Sequence, residues 1–449
     1  MKHSLIAIAV LFCAGFSIPV FAAETQTASQ QEKIDFSNAK ITLKTNKSAL
    51  SYLPGEEMVF TFTLDMGNSS KPSGLFLQYT CRDDEGKRFS GQAPADQPLI
   101  VKTSLSKPGF VNVVVKLINE NGSNFIFEHP LANGNKAKKT FQYHAGTAVQ
   151  PEKLTDCGEP ADFDQFWADQ KKRLAEVPFL ETAERKLVCE GKIGRVYALS
   201  IPAPGGRPST GYVSIPYDAK EKSLPIYVVY HGYGHTIHPM PKDAMKGIIS
   251  ASFNAHGQEL GREPEYYKKF FASLGSNGYS YAFDPNSNHD RETLFFNGMT
   301  LRNLRGLEYL KTLPEWNGKM LVVSGSSQGG LQTMLSAALD PDVTHANPGI
   351  TWCCDIAGKE KKNRICGGWR IKYTPALDYY DPVFHAKRIK HAKVNIVRAG
   401  LGDYVCPPSG LAISYNNLAT PHKTIRWCQG STHGFTPNGE EVIIWSTEK

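Results

Sequence analysis

The chain has 449 residues, of which 41% are hydrophobic and 21% charged, with a formal net charge of +7. That length exceeds what one compact domain ordinarily needs and points to two. The charge is too mild and scattered for nucleic-acid binding; its densest basic stretch, Lys359 to Lys362, is interrupted by Glu360 and reads as solvated surface.

Taken from the start, Met1-Lys2-His3 precedes an apolar run from Leu5 to Phe16 and then Val20-Phe21-Ala22-Ala23. A basic start, a short apolar core and small residues at a cleavage point predict a secretory leader over residues 1–22, cut after Ala22 or Ala23. The product is expected outside the cytoplasm, secreted or periplasmic. Loss of Lys2 takes the charge from +7 to +6. Phe12 before Cys13 is too large for a lipoprotein site, so no membrane anchor is expected. No later stretch reaches the roughly 18 apolar residues of a membrane helix.

Residues 24–145 read as an accessory β-sandwich. Lys40 to Thr45, Met58 to Leu64, Gly74 to Thr80, Leu99 to Ser104, Val111 to Ile118 and Lys139 to His144 alternate or run apolar. Turn clusters such as Pro54-Gly55, Lys107-Pro108-Gly109 and Asn121-Gly122 separate them. Short strands at regular spacing without a helical period indicate a sandwich. Phe76, Tyr79, Phe125 and Phe127 are read as core, with sugar contact as the other role open to them. Residues 146–157 are expected to be a linker, and 158–449 the second domain.

That second domain opens on a helix over Asp162 to Glu176, with Phe163, Phe166, Trp167 and Leu174 on one side facing the domain. Strands follow at Tyr197 to Ile201, Thr210 to Ile215 and Pro225 to Tyr230. Helices are predicted over Tyr266 to Leu274, Met299 to Leu313 and Ser409 to Leu418. Strands alternating with helices predict a mostly parallel sheet covered on both faces.

Three loops of this domain carry chemistry. Met320 to Ser324 is a strand entering Gly325-Ser326-Ser327-Gln328-Gly329, and a helix follows with Leu331, Met334, Leu335 and Ala338 at helical spacing. Strand, glycine-flanked serine and helix are the context of a nucleophile elbow, in which a strained turn lifts the serine hydroxyl out of the sheet. The serine needs a base, and the base an orienting acid. Val394 to Gly400 is a strand followed by Leu401-Gly402-Asp403, and Lys423 to Cys428 is a strand followed by a loop containing His433. The order Ser327, Asp403, His433 is that of α/β-hydrolases. Two oxyanion donors are assigned: the N–H of Gln328, next to the nucleophile, and the N–H of Tyr233, in the loop after Ile226 to Tyr230.

These segments carry a resemblance. His231-Gly232-Tyr233-Gly234, Gly325-Ser326-Ser327-Gln328-Gly329-Gly330, Gly400-Leu401-Gly402-Asp403 with Cys406-Pro407-Pro408, and His433-Gly434 resemble carbohydrate esterase family seven. That is the family of acetyl xylan esterases and cephalosporin-C deacetylases. The likeness extends from about residue 155 to 449 and includes Asp162-Phe163-Asp164-Gln165-Phe166-Trp167, Asp355 and Tyr380-Asp381. It implies an α/β-hydrolase fold behind the β-sandwich, Ser327, Asp403 and His433 as a triad, Tyr233 and Gln328 as oxyanion donors, and acetylated xylan or its oligosaccharides as substrate. Closed hexamers are common in the family, and the added β-domain is expected to block or alter such an assembly. One departure stands out: of the family's Arg-Gly-Gln-Gly segment only Gly257-Gln258 match, with His256 in the arginine's place.

The alternatives are a prolyl-oligopeptidase-like peptidase, whose elbow usually carries an aromatic residue where this chain has Gln328, and a non-catalytic carbohydrate-binding protein. No cofactor or metal is expected. Gly232 and Gly234 argue against the helix that would align His231, His235 and His238, and no cysteine pair has zinc spacing. Of nine cysteines, Cys13 falls in the leader. The other eight either include a bridge, Cys353 or Cys354 with Cys366, or remain free buried thiols.

Overall fold

The computed structural model describes residues 34–447 apart from His235. The expected leader and His235 lie outside the described residues. Nine strands form the N-terminal region: β1 (Lys40–Thr45), β2 (Met58–Asp65), β3 (Leu75–Asp83), β4 (Arg88–Pro94), β5 (Leu99–Thr103), β6 (Gly109–Asn119), β7 (Ile126–Pro130), β8 (Lys136–Thr140) and β9 (Gln142–Val149). They make antiparallel sheets in the orders β1-β2-β5 and β4-β3-β6-β9, plus the hairpin β7-β8. Alternation explains the sandwich. On β2, Met58, Phe60, Phe62 and Leu64 are buried and the residues between them are not, so one face meets the other sheet across a shared core. Tyr79, Phe125 and Phe127 pack on that core.

The expected linker is not one. Residues 146–149 complete β9, and Pro151–Lys153 form a short 3₁₀ turn. The chain has no slack here because the junction is bonded on both sides. The Gln429 side-chain oxygen accepts from Gly146 N–H (2.9 Å), and its amide donates to the Gly146 carbonyl (2.7 Å). A Cβ on Gly146 would strike the Leu401 carbonyl.

The second region begins with α1 (Phe163–Ala175), then β10 (Glu184–Glu190), β11 (Gly194–Ile201), β12 (Ser209–Pro216), β13 (Leu224–Tyr230), β14 (Ile249–Phe253), α2 (Pro264–Ala272), α3 (Phe295–Leu310), β15 (Trp316–Ser326), α4 (Gln328–Leu339) and β16 (His345–Gly349). It closes with α5 (Gly358–Lys362), α6 (Pro382–His385), β17 (Lys393–Gly400), α7 (Pro408–Asn417), β18 (Lys423–Cys428) and β19 (Val442–Ser446). The ten strands form one sheet in the order β10-β11-β12-β14-β13-β15-β16-β17-β18-β19. The central six, from β14 across to β18, pair in parallel, and the flanking strands are antiparallel. This is the α/β-hydrolase arrangement behind a β-sandwich. α1 buries Phe163, Phe166, Trp167 and Leu174, and the Trp167 indole N–H donates to the Tyr379 carbonyl (3.0 Å).

The two regions share a core. Ala49, Phe110 and Ala148 of the sandwich belong to the hydrolase cluster, and Phe110 lies 5.9 Å from Trp427, ring to ring. The eight cysteines from Cys81 to Cys428 are all free, so packing and hydrogen bonds rather than bridges hold the halves together. Among the described residues no helix is long and apolar enough to cross a membrane.

Candidate active site

Parallel pairing aligns the carboxyl ends of the central strands at one edge. Tyr230 pairs with Phe253 and Gly325, Ser326 with Gly349, Gly349 with Arg398, and Gly400 with Cys428. The loop leaving each strand therefore opens on the same side of the sheet: His231 to Gly234, Ser327, Ile350 to Asp355, Leu401 to Cys406 and Gln429 to His433. Ligands of open α/β sheets bind outside the carboxyl ends of strands.

Ser327 joins β15 to α4 with φ 59° and ψ −120°. For a non-glycine residue that backbone costs on the order of 1–3 kcal/mol and persists only where its surroundings impose it. They do so here. Ser327 N–H donates to the Gly349 carbonyl (2.9 Å), while its own carbonyl accepts from Leu331 (3.0 Å) and Trp352 (3.1 Å). The flanking glycines are steric necessities: a Cβ on Gly325 would press on Gly329, and one on Gly329 would strike the Tyr230 carbonyl.

His433 Nδ1 lies 2.9 Å from Asp403 Oδ2, a pairing that fixes the imidazole tautomer and orientation. Asp403 is buried, and its Oδ1 accepts from the N–H groups of Val405 and Cys406, each at 3.0 Å. The His433 carbonyl accepts from the Arg398 guanidinium (3.0 Å), which braces the histidine loop against β17. Cys406 stands beside this pair: ligand-type atoms of Asp403, Cys406 and His433 lie within 4.8 Å of one another. Burial, reinforced by the Asp403 charge, pushes the Cys406 thiol well above its ordinary range. That direction favours the neutral thiol, the poorer nucleophile.

Gln328 opens α4, so its N–H has no intrahelical acceptor. Tyr233 lies in the loop after β13, the strand beside β15. A residue without any motif joins the two. The Tyr281 hydroxyl accepts from Gly234 N–H (3.0 Å) and donates to Gln328 Oε1 (2.9 Å), and its carbonyl accepts from the Tyr233 hydroxyl (3.0 Å). The rings of Tyr233 and Tyr281 stack at 4.2 Å. Tyr281 thus engages Gly234 N–H, next to the Tyr233 N–H that the sequence assigns to the oxyanion. Sequence reasoning misses Tyr281 because it lies in a loop and acts through contacts distant along the chain. It meets Cys406 only as part of a motif.

His256 is fully buried, ringed by His231, Phe271, Tyr281 and Phe295. The buried cation of this neighbourhood comes instead from α3. Arg302 donates from Nε (3.2 Å) and Nη2 (2.6 Å) to the Ala255 carbonyl, and burial lowers its pKa to about 9. His231 Nδ1 pairs with the Gly232 carbonyl while its Nε2 accepts from Ala255 N–H (3.0 Å), and His238 Nε2 pairs with Ser252, so both rings brace the loop after β13 against β14 and its exit.

Residues 153–358 match the family model of acetyl xylan esterases. The matched span includes the oxyanion loop and the elbow, and stops before Asp403 and His433. The chain is 29% identical over 300 residues to the acetyl esterase Axe7A of Xylanibacter ruminicola, an overlap of 64% of this chain and 66% of that protein. It thus spans a little under two thirds of that relative's length. Among solved structures, acetyl xylan esterase 1 of Thermoanaerobacterium sp. JW/SL YS485 superposes with a TM-score of 0.54 at 21% identity, over 65% of this chain and 94% of that one. The acetyl xylan esterase of Paenibacillus sp. R4 gives 0.52 at 22%, over 63% and 93%. At such identities these two establish the shared fold.

Proposed function

We propose that the protein is a serine esterase that removes acetyl groups from carbohydrate, with acetylated xylan fragments as its substrate class. The observation that carries this reading is the 2.9 Å His433–Asp403 pairing at the sheet edge that also bears the strained Ser327, in a chain whose residues 153–358 match the acetyl xylan esterase family model. His433 takes the Ser327 hydroxyl proton as the oxygen attacks the acetyl carbonyl carbon. The N–H groups of Tyr233 and Gln328 hold the resulting oxyanion, each such donor being worth about 2.7–4 kcal/mol. Collapse breaks the bond to the sugar oxygen, which leaves with the proton from the imidazolium. Water, deprotonated by the same histidine, then attacks the acetyl-enzyme and releases acetate. Asp403 holds the tautomer and stabilises the imidazolium throughout. No step calls for a cofactor. Export through the leader at residues 1–22 would bring the enzyme to its polymer. Acetate release from a panel of acetylated xylo-oligosaccharides tests the reading, with Ser327→Ala expected to lower turnover about 10⁶-fold. Peptide cleavage without deacetylation would overturn it.

A further inference from the structure

Beside the Ser327 loop lies an aromatic cluster that is not closed over. Tyr233 meets Trp352 at 5.4 Å and Trp369 at 4.9 Å between ring centroids, and Phe283 meets Trp369 at 4.9 Å. Trp352 and Trp369 stack at 5.3 Å with 23° between their planes. Two of these rings belong to the reaction site: Tyr233 lies in the oxyanion loop, and Trp352 N–H donates to the Ser327 carbonyl. Trp352 is buried, whereas Trp369 remains 41% exposed. The indole is therefore held by Trp352 on one face and by Tyr233 and Phe283 around it, with apolar surface left in water at the rim of the site. A rigid aromatic ring left open costs burial energy that most folds recover, and it costs little further entropy when it binds.

We propose that Trp369 is a carbohydrate subsite, on which a pyranose ring of the acetylated chain lays its C–H face while the ester reaches Ser327. This rests on the esterase reading above and deepens it. A sugar ring has an apolar face and a polar rim, which suits a flat indole. The adjacent Arg370 is paired with Glu360 (2.6 Å), so this part of the rim offers a stacking surface rather than an unpaired arginine.

The N-terminal sandwich fixes where this subsite stands. Ile365 N–H donates to Asp84 (2.8 Å), which also accepts from Phe110 N–H (2.9 Å). The Cys366 carbonyl accepts from Arg82 Nη1 (3.1 Å), and the same guanidinium covers the Tyr404 ring at 4.7 Å. Gly367 lies so close to Tyr404 that a Cβ would strike its carbonyl. Residues 365–367 are thus clamped between the sandwich and the Asp403 loop, two residues before Trp369. Arg82 and Asp84 are positioning residues for the stacking surface.

The test measures KM and kcat for an acetylated xylo-oligosaccharide and for p-nitrophenyl acetate in the full chain, Trp369→Ala, Trp369→Tyr and Arg82→Ala. A second arm titrates unacetylated xylo-oligosaccharide into Ser327→Ala, with and without Trp369→Ala. Trp369→Ala is expected to raise KM for the oligosaccharide about tenfold more than for the aryl acetate, with Trp369→Tyr restoring most of the loss. The titration should weaken by a similar factor, and Arg82→Ala should act in the same direction, less strongly and mainly in KM. Equal losses on both substrates, or unaltered sugar affinity in the titration, would overturn the subsite. Should the full chain release acetate from neither substrate, the esterase reading fails while the titration still decides whether Trp369 holds sugar.

Discussion

The two halves of the molecule treat backbone strain differently. Among the described residues up to 149, positive φ occurs only at glycine: Gly55, Gly67, Gly74, Gly86, Gly122 and Gly134. From Gln150 onward nine non-glycine residues adopt positive φ among the described residues, and four of them, Ser327, Ile350, Cys353 and Asp355, lie in the elbow or the loop packed on it. Strained conformations concentrate where function requires them and must be over-determined by their surroundings. The sandwich supplies part of that restraint. His144 backs Gly402, Tyr143 donates to Glu440 (2.6 Å), Ser48 and Ala49 bond Glu441, and Gln429 ties Gly146 to the start of the histidine loop. The relaxed half thereby acts as a buttress for the acid and base loops of the strained half.

Changes on either side of that contact probe the contrast. The largest effect is expected from Asp403→Asn, which keeps the shape but favours the wrong imidazole tautomer. Turnover of an acetyl ester should fall about 10⁴-fold with little change in Tm, as steady-state kinetics and calorimetry would show. Next comes Gly402→Ala, whose Cβ would strike the His144 backbone carbonyl. We expect a stability loss of about 1–3 kcal/mol in urea unfolding together with reduced kcat. Gly122→Ala in the sandwich, at φ 81° with open space around it, should cost about 1–2 kcal/mol and leave kcat alone. If both glycines behaved alike, the buttress would be wrong. Tyr281→Phe should lower kcat about tenfold by freeing Gly234 N–H and Gln328 Oε1, with a smaller effect on KM.

The last effect is a pH dependence at the contact itself. Burial raises the Asp84 pKa to about 6, against the lowering by its backbone partners Ile365 and Phe110 and by Arg364. A carboxyl whose folded pKa is raised favours folding when protonated, and that advantage is lost as pH rises from about 4 to about 6. The stability of the parent relative to Asp84→Asn should therefore decline over that window, by on the order of 1–3 kcal/mol in all, and stay flat above it. Urea midpoints at a series of pH values would show it, and a rise with pH would contradict the burial.

Much of the site was legible because its signals are local. The glycine-flanked serine, and the strands leading to Asp403 and His433, each announce themselves within about ten residues. Strands were lost where composition opposes the strand rule. β16 reads His345-Ala-Asn-Pro-Gly349, with Pro348 in a central parallel strand, where proline is disfavoured. It is tolerated because the pairing to β17 slips between Ala346 and Gly349. β10 is a charged edge with only Leu187, Val188 and Cys189 apolar, and β14 holds alternating small serines and alanine. The expected linker failed for another reason. Gly146 looks like a spacer residue, and only partners about 250 to 280 positions away, Leu401 and Gln429, show that it is clamped. Tyr281, Arg302 and the Trp369 surface were invisible for the same reason.

The triad is put to its sharpest test by acid-quenched mass spectrometry during the first turnover of p-nitrophenyl acetate. One added acetyl group is expected on the peptide containing Ser327, absent from Ser327→Ala and accumulating far more slowly in Asp403→Asn. Acetate released with that peptide never modified, or an acetyl group carried on Cys406 instead, would contradict the assignment.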